Sequence, residues 1–592
     1  MPANVHPTEE QQVALSKFQS GRNLKVSAFA GTGKTTTLSL LANSRRAKGA
    51  YLAFNRSIAN ESRDKFPREV YCRTTHSLAW RAIKSSHRFS SGKMNDNLYP
   101  KQLSEELQLA DRVFGGKMRL DGTQQASLVL RTIRCFCESA DDTLDKHHIP
   151  RMGRLLGTAD ADRRELDDWV LQTAKSVWAR KTSDQDDIPL GHDGYLKLWA
   201  LGHPRLGYEF IMLDEAQDTN AVVLGVLAEQ EAQIVYVGDK HQQIYEWRGA
   251  VNAMEKLTDC DESFLTQSFR FGPPIASAAT NVLRTLGERR NLRGNPDRQS
   301  DVLFSGTART ILARTNSTVI SEVLASLNAN ETPCVIGGTA ELEQLVKDVF
   351  SLKEGKPGKR PELFGFRDWS EVIVFSQTEE GAELRMFVQL VLQHGEKALY
   401  KAVKSAVEDE SQADVVISTT HKAKGREWES VRIAADFASS ASQDNQPLPE
   451  EEVRLFYVAM TRAKNRLIVD RETLEFFQSN AWKQRSATKT QAAKHPAAAT
   501  SQAWKTMPVH PTVSQSTGTL EQVRKTPVTP QTRKAPAVLP TRPPRPLEEI
   551  LSSRSPAANT AEHASKEAEA IPVKSPVTKQ SLLGKFFQLF GG

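Results

Sequence analysis

Cysteine is scarce in this sequence, and long apolar runs are missing from it. The five cysteines, Cys72, Cys135, Cys137, Cys260 and Cys334, are scattered along 592 residues. An odd, scattered set argues against a disulfide framework and fits a reducing compartment. Cys135 and Cys137 are one residue apart with no second close pair. Small apolar residues on a buried helix explain them better than a zinc or iron–sulfur site. No apolar run approaches the ~20 residues that span a bilayer. The opening MPANVHPTEEQQ is polar, with no apolar signal core. A soluble, intracellular protein is expected. Charge of neither sign dominates: a quarter of the residues are charged and the net charge is +7. That balance suits a polyanionic partner but does not demand one.

What is there divides near residue 485. From 485 to 578 the chain is rich in Ala, Ser, Thr, Pro, Lys and Arg, as in RKAPAVLPTRPPRPL. Such a stretch buries too little apolar surface to offset its ordering entropy, and reads as a disordered basic linker. Before it, short apolar runs alternate with helical patterns. Leu24–Ala28, Tyr51–Phe54, Phe210–Leu213 and Ile234–Val237 form one set. Thr310–Ala313, Cys334–Ile336, Val415–Ser418, Val431–Ala435 and Leu467–Val469 form another. Runs of this kind signal parallel sheets, so two α/β domains are expected. The segments around 85–185 and 352–412 lack strand alternation and read as helical insertions.

Ala28-Phe29-Ala30-Gly31-Thr32-Gly33-Lys34-Thr35 follows the first predicted strand and opens a helix. Gly31 and Gly33 let backbone N–H groups wrap around phosphates. Lys34 would reach the outer phosphates and the Thr35 hydroxyl would bind Mg²⁺. Ala28 stands where such loops usually begin with glycine. Phe210-Ile211-Met212-Leu213-Asp214-Glu215 is a buried strand ending in two carboxylates. In register with a phosphate loop, Asp214 would hold Mg²⁺ through its water shell, and Glu215 would polarise an attacking water.

The acids continue as Asp214-Glu215-Ala216-Gln217-Asp218, which resembles motif II of the superfamily 1 UvrD/Rep/PcrA-type DNA helicases. Val237-Gly238-Asp239-Lys240-His241-Gln242-Gln243-Ile244-Tyr245-Glu246-Trp247-Arg248-Gly249-Ala250 resembles their motif III. Thr8-Glu9-Glu10-Gln11 resembles the adenine-reading Q motif. Phe54-Asn55-Arg56-Ser57 resembles motif Ia, and Thr74-Thr75-His76-Ser77 motif Ib. Gln267-Ser268-Phe269-Arg270 resembles motif IV. Thr419-Thr420-His421-Lys422-Ala423-Lys424-Gly425-Arg426-Glu427-Trp428 resembles motif V, and Tyr457-Val458-Ala459-Met460-Thr461-Arg462-Ala463 motif VI. The motifs run in family order over about residues 5–475. The phosphate loop and Phe54-Asn55-Arg56-Ser57-Ile58-Ala59 look most like the F-box DNA helicases and their bacterial relatives. No F-box fits before Gln11, so ubiquitin-ligase function is not expected.

This resemblance implies two RecA-like motor domains with ATP between them. The expected layout is a first motor domain over 1–84 and 186–262, carrying a helical insertion at 85–185. A second motor domain over 263–351 and 413–484 carries a reduced insertion at 352–412. By chemistry and resemblance together, Gln11 would hydrogen-bond adenine and Phe269 would stack on it. Glu427 would contact the ribose. The loop from Ala28 through Thr36 would hold the phosphates, and Gln242 would sense the outermost one. Arg270 and Arg462 would act as arginine fingers. Phe54 and Trp247 would stack on bases of a single strand, beside Tyr245 and Arg248. Thr74, His76 and His421 are further candidate backbone contacts.

The form of motif III resembles the branch that moves 3′→5′, so the expected substrates are single-stranded and 3′-tailed duplex DNA. The expected location is the bacterial cytoplasm beside the nucleoid, or the eukaryotic nucleus. The end of the chain, 579–592, contains Gln580-Ser581-Leu582-Leu583-Gly584-Lys585-Phe586-Phe587. Gln580, Leu583, Phe586 and Phe587 fit the pattern of sliding-clamp ligands; a generic amphipathic end is the alternative. Three readings of function stay open. One is a repair or recombination helicase, another a translocase that strips proteins but barely unwinds. The third is a factor that remodels a protein partner such as RNA polymerase.

Overall fold

The computed structural model describes residues 7–116, 118–245, 252–378, 380–437 and 448–479. Trp247, Arg248, the linker 485–578 and the candidate clamp peptide with Gln580, Leu583, Phe586 and Phe587 lie outside the described residues.

Eight strands belong to the first half of the chain. They are β1 (Leu24–Ala28), β2 (Gly49–Leu52), β3 (Val70–Arg73), β4 (Arg112–Phe114), β5 (Met118–Leu120), β6 (Phe210–Leu213), β7 (Gln233–Gly238) and β8 (Asp261–Leu265). Six of them form a parallel sheet in the order β3-β2-β6-β7-β1-β8. The central strands β2, β6 and β7 are buried along their whole length. That is why they read as unbroken apolar runs rather than alternating ones. The second sheet has the order β11-β12-β10-β13-β14-β9, again all parallel. Its strands are β9 (Asp301–Leu303), β10 (Thr310–Ala313), β11 (Pro333–Val335), β12 (Val415–Thr419), β13 (Trp428–Ile433) and β14 (Ala463–Ile468). The two α/β domains expected from sequence are therefore present.

Strands β3, β8 and β9, each at the end of a sheet, escape the sequence reading; β11, also at an end but buried throughout, does not. A strand paired on one side needs no continuous apolar run; β8 reads Asp-Glu-Ser-Phe-Leu and β9 is largely exposed. Strand β8 also corrects the expected domain boundary at 262/263. It runs to Leu265 and pairs with β1 from Leu24↔Asp261 to Ala28↔Leu265, so the first domain extends through it.

The segment 85–185 is mainly helical but also holds the antiparallel ribbon β4–β5, which the helical expectation missed. Its helix Gly122–Glu138 starts at a capping box on Asp121 and Gln124. The helix buries Leu128, Val129, Thr132, Ile133 and Phe136, a three-to-four spacing that makes one face. Cys137 is buried on this helix and Cys135 half-buried, both as free thiols.

The expected insertion at 352–412 is not a separate lobe. Trp369, Phe387, Leu399 and Val403 share one core with Ile311, Val415 and Ile417 of the second sheet. This segment is a layer of the second domain, because its apolar faces have that sheet to cover. Phe364 goes elsewhere. It is buried in the core of the 85–185 insertion, with Phe114, Phe136 and Leu155. Arg154 N–H donates to the Phe364 carbonyl at 3.0 Å, and Arg154 pairs with Glu371 at 3.1 Å. Gly153 has φ +50°, and a Cβ there would sit 2.4 Å from the Phe364 carbonyl oxygen. The 85–185 insertion and this layer of the second domain are thus clasped by backbone contact.

Candidate active site

Strand β1 ends at Ala28, and the chain then turns tightly before the helix Lys34–Asn43. Gly31 and Gly33 make the turn with φ +73° and +76°, a region that penalises any Cβ. At Gly31 a Cβ would also meet Ser268 Oγ at 2.6 Å and Arg270 Cβ at 2.7 Å. Gly33 caps the helix without a side-chain bond, so the first N–H groups and the positive end of the helix dipole face the loop. Thr32 Oγ1 donates to the Phe29 carbonyl and fixes the turn. Thr36 is exposed at the first helical turn.

Lys34 Nζ lies 2.8 Å from Glu215 Oε2. Burial opposes its charge, but Glu215 and Asp214 outweigh this and hold the ammonium above its ordinary value. Glu215 is likewise opposed by burial, yet Lys34 and Lys424 pull its carboxyl down to about 2. Asp214 moves the other way: burial and the charge of Glu215 push it up. Glu215 has φ +51° and ψ +44°, a left-handed conformation that costs a non-glycine residue ~1–2 kcal/mol. Such strain turns the carboxylate off the strand axis toward Lys34. Asp214 Oδ2 accepts from Tyr51 OH at 2.7 Å and from Thr35 Oγ1 at 3.4 Å. Thr35 and Asp214 thus offer oxygen donors, the set a hard divalent cation takes.

The second domain reaches this site from several elements. Tyr457 OH donates to Asp239 Oδ2 at 3.0 Å and accepts from Ala30 N at 3.2 Å. Arg462 is buried, donates to Gln242 Oε1 at 3.3 Å, and is pulled down to about 9 by burial and by Arg270. Gln242 Nε2 in turn donates to Asp239 Oδ2 at 2.7 Å. Lys424 pairs with Asp218 at 2.5 Å and donates to the Gln242 carbonyl. Burial lowers Lys424 and pushes Asp218 up to about 6, so both partners are drawn toward neutrality. Arg270 rests on Glu427 at 2.6 Å and on the Thr461 carbonyl at 2.9 Å.

Gln11 is buried; its side chain accepts from Thr8 N–H and donates to Thr37 Oγ1 at 3.1 Å. The helix Glu9–Gln19 is thereby tied to the helix Lys34–Asn43. The Phe269 ring lies beside Gly33, 3.7 Å from where a Cβ on that glycine would stand, and Phe269 is 46% exposed, leaving area for a flat partner. Phe54 follows β2 and is 58% exposed. Thr74 caps the helix Thr75–Ser86, and His76 lies 3.8 Å from Asp193. Tyr245, a candidate strand contact, also reaches the second domain. Its hydroxyl donates to the His421 carbonyl at 2.9 Å, and Lys424 Nζ stands 5.1 Å from its ring centre. It acts as a tie between the domains because its polar end finds a carbonyl across the cleft.

Tyr51, Asp218, Asp239, Lys424, Tyr457 and Gln217, whose Nε2 donates to Glu215 Oε2 at 2.6 Å, received no role from the sequence. For Tyr457 a signal existed: a hydroxyl within the apolar run Leu455-Phe456-Tyr457-Val458-Ala459 needs a partner.

Residues 7–261 match the family model for the UvrD/REP helicase N-terminal domain, and 367–472 match that for the UvrD-like helicase C-terminal domain. F-box DNA helicase 1 of Gallus gallus is 32% identical over 511 residues, covering 79% of this chain and 49% of that protein. F-box DNA helicase protein 1 of Schizosaccharomyces pombe is 31% identical over 513 residues, 78% of this chain and 57% of that protein. A probable DNA helicase of Mycoplasma pneumoniae is 23% identical over 511 residues, 80% of this chain and 85% of that protein. The chain spans about half the length of the two F-box relatives.

Proposed function

This chain belongs to the UvrD-like helicase family, and on that footing we propose that it is an ATP-driven motor moving 3′→5′ on single-stranded DNA, acting in DNA repair or recombination. The carrying observation is that one phosphate-binding loop is contacted by both α/β domains. Lys34, Asp214 and Glu215 come from the first; Tyr457, Arg462, Arg270 and Lys424 come from the second. Any change at the phosphates alters the fit between the domains, and relative movement of the domains alters the site.

Within this reading the loop amides and Lys34 hold the phosphates, and Thr35 with Asp214 holds Mg²⁺. Glu215, kept ionised by Lys34 and Lys424, accepts a proton from the attacking water. Arg270 exchanges its Glu427 partner for developing phosphate charge, and Arg462 does so from Gln242. Phe269 and Gln11 take the base. Phe54, Thr74 and His76 grip the strand on the first domain, and His421 on the second. Trp247 and Arg248 complete the stacking surface in this proposal.

Duplexes with a 3′ or a 5′ single-stranded tail test the direction. Separation of the 3′-tailed duplex alone is expected; preference for the 5′ tail would refute it. A second reading, a translocase that strips proteins and unwinds weakly, draws on the 352–412 segment being a layer of the second domain. Displacement of a bound protein from single-stranded DNA, with little strand separation, would favour it. For the sequence Gln580–Phe587 we propose sliding-clamp binding. Clamp affinity should fall in the Phe586→Ala/Phe587→Ala variant, and unchanged affinity would remove the proposal.

A further inference from the structure

Away from the nucleotide site, the helix Gly122–Glu138 ends and the chain turns back toward the helix Asp160–Thr182. In that turn three side chains converge. His147 Nε2 lies 2.7 Å from Asp141 Oδ2, and His148 Nε2 lies 3.0 Å from the same oxygen. One nitrogen of each ring and the carboxylate oxygen all fall within 4.8 Å of one another. The two imidazoles are consecutive on one short turn, Lys146–His148, with ring centres 3.9 Å apart. His148 is buried, while His147 and Asp141 are open to water on one side.

We propose that Asp141, His147 and His148 form a binding site for a borderline divalent transition-metal ion of the zinc class. Two imidazole nitrogens and one carboxylate oxygen are the donor set such ions prefer, with a water completing four-coordination. His148 Nδ1 lies 3.1 Å from the Asp145 carbonyl oxygen. An N–H donated there leaves the Nε2 lone pair facing Asp141 Oδ2 and Ser139 Oγ, the latter 3.1 Å away, the orientation a backbone carbonyl gives to metal-bound histidines. Ionised carboxylate oxygen is acceptor-only, so a cation satisfies all three groups at once. The alternative is a cluster held by two N–H···O bonds alone, with Asp145 N–H donating to His148 Nδ1 at 3.0 Å.

The place gives the site a task. Lys197, buried on the helix Gly191–Ala200 of the first domain, donates to the carbonyls of Ser139 at 2.9 Å and Asp141 at 2.5 Å. The turn is therefore one root by which the 85–185 insertion is attached to the motor domain. A metal there would pin that root.

The test uses the full chain, stripped with a chelator and titrated with Zn²⁺ against a chromophoric competitor, and with Co²⁺ read by its visible absorption. One saturable equivalent per chain is expected, with a rise in melting temperature that the His147→Gln variant lacks. His147 is exposed, so this variant keeps the fold; Asp141→Asn provides a second ligand loss. Each should weaken binding at least ~10-fold. Absence of a saturable equivalent, or affinity unchanged in both variants, would leave only a hydrogen-bonded cluster and overturn the proposal.

Discussion

Replacing Tyr457 with Phe removes one oxygen from the interface between the two sheets and leaves the ring in place. That oxygen makes two bonds: it donates to the Asp239 carboxylate and accepts from the Ala30 amide. Tyr457 is fully buried, and burial and Asp239 hold its hydroxyl well above the ordinary value, so it stays a donor at all working pH. The bond to a charged acceptor contributes ~1.5–3 kcal/mol and the neutral one ~0.5–1.5 kcal/mol. Asp239 keeps its bond from Gln242, which places the combined loss at about 2–3 kcal/mol. The loss falls on the closed arrangement of the domains. If turnover requires closure, DNA-stimulated ATP hydrolysis should drop about 30- to 150-fold. Nucleotide binding by the isolated loop chemistry of Lys34 should survive. The assay is steady-state hydrolysis with saturating single strand, beside a melting curve. A variant with wild-type turnover would refute the claim that this hydroxyl couples the domains; so would a turnover loss with nucleotide binding lost in the same proportion.

Other outcomes follow from the same contacts. Gly31→Ala should abolish nucleotide binding and destabilise by ~2 kcal/mol or more, since it adds left-handed strain to a clash with Ser268 and Arg270; equilibrium binding and melting check it. Phe364→Ala should cost ~3–5 kcal/mol and raise hydrogen exchange in the 85–185 insertion, where its ring is buried, rather than in its own segment. The pH dependence has a definite sign at Glu215. Its folded carboxyl is down at about 2 from an ordinary 4.5, so its stabilisation is full above 4.5 and is lost as pH falls toward 2. Asp214, pushed up, offsets part of this. The melting temperature of Glu215→Gln should therefore fall less steeply than wild type across that window; parallel curves would contradict the Lys34–Glu215 pairing.

Local chemistry was legible in the sequence, and partnerships were not. Strands β1, β6 and β10 are read with their observed ends, whereas β2, buried throughout, is read two residues late, as Tyr51–Phe54 instead of Gly49–Leu52, because the apolar run continues past the strand. The phosphate loop is legible because only glycine suits the two left-handed positions. Edge strand β8 opens on Asp-Glu-Ser and β9 is three residues long, so neither shows as an apolar run. Motif residues could be named, but not whom they hold. Tyr457 meets Asp239 across 218 residues, and Arg462 meets Gln242 across 220. Nothing local encodes those pairs; they follow from how two sheets pack. Phe364 is the same case in the insertions. Its neighbours in sequence join the second sheet, while its ring fills a core built from residues 103–177.

The central claim is that ATP is held by two domains whose movement is tied to a DNA strand. Hydrolysis by the full chain should be measured with and without single-stranded DNA, beside Lys34→Ala. Strong stimulation by the strand that vanishes in the variant is expected. Equal hydrolysis with and without DNA in the wild type would contradict it.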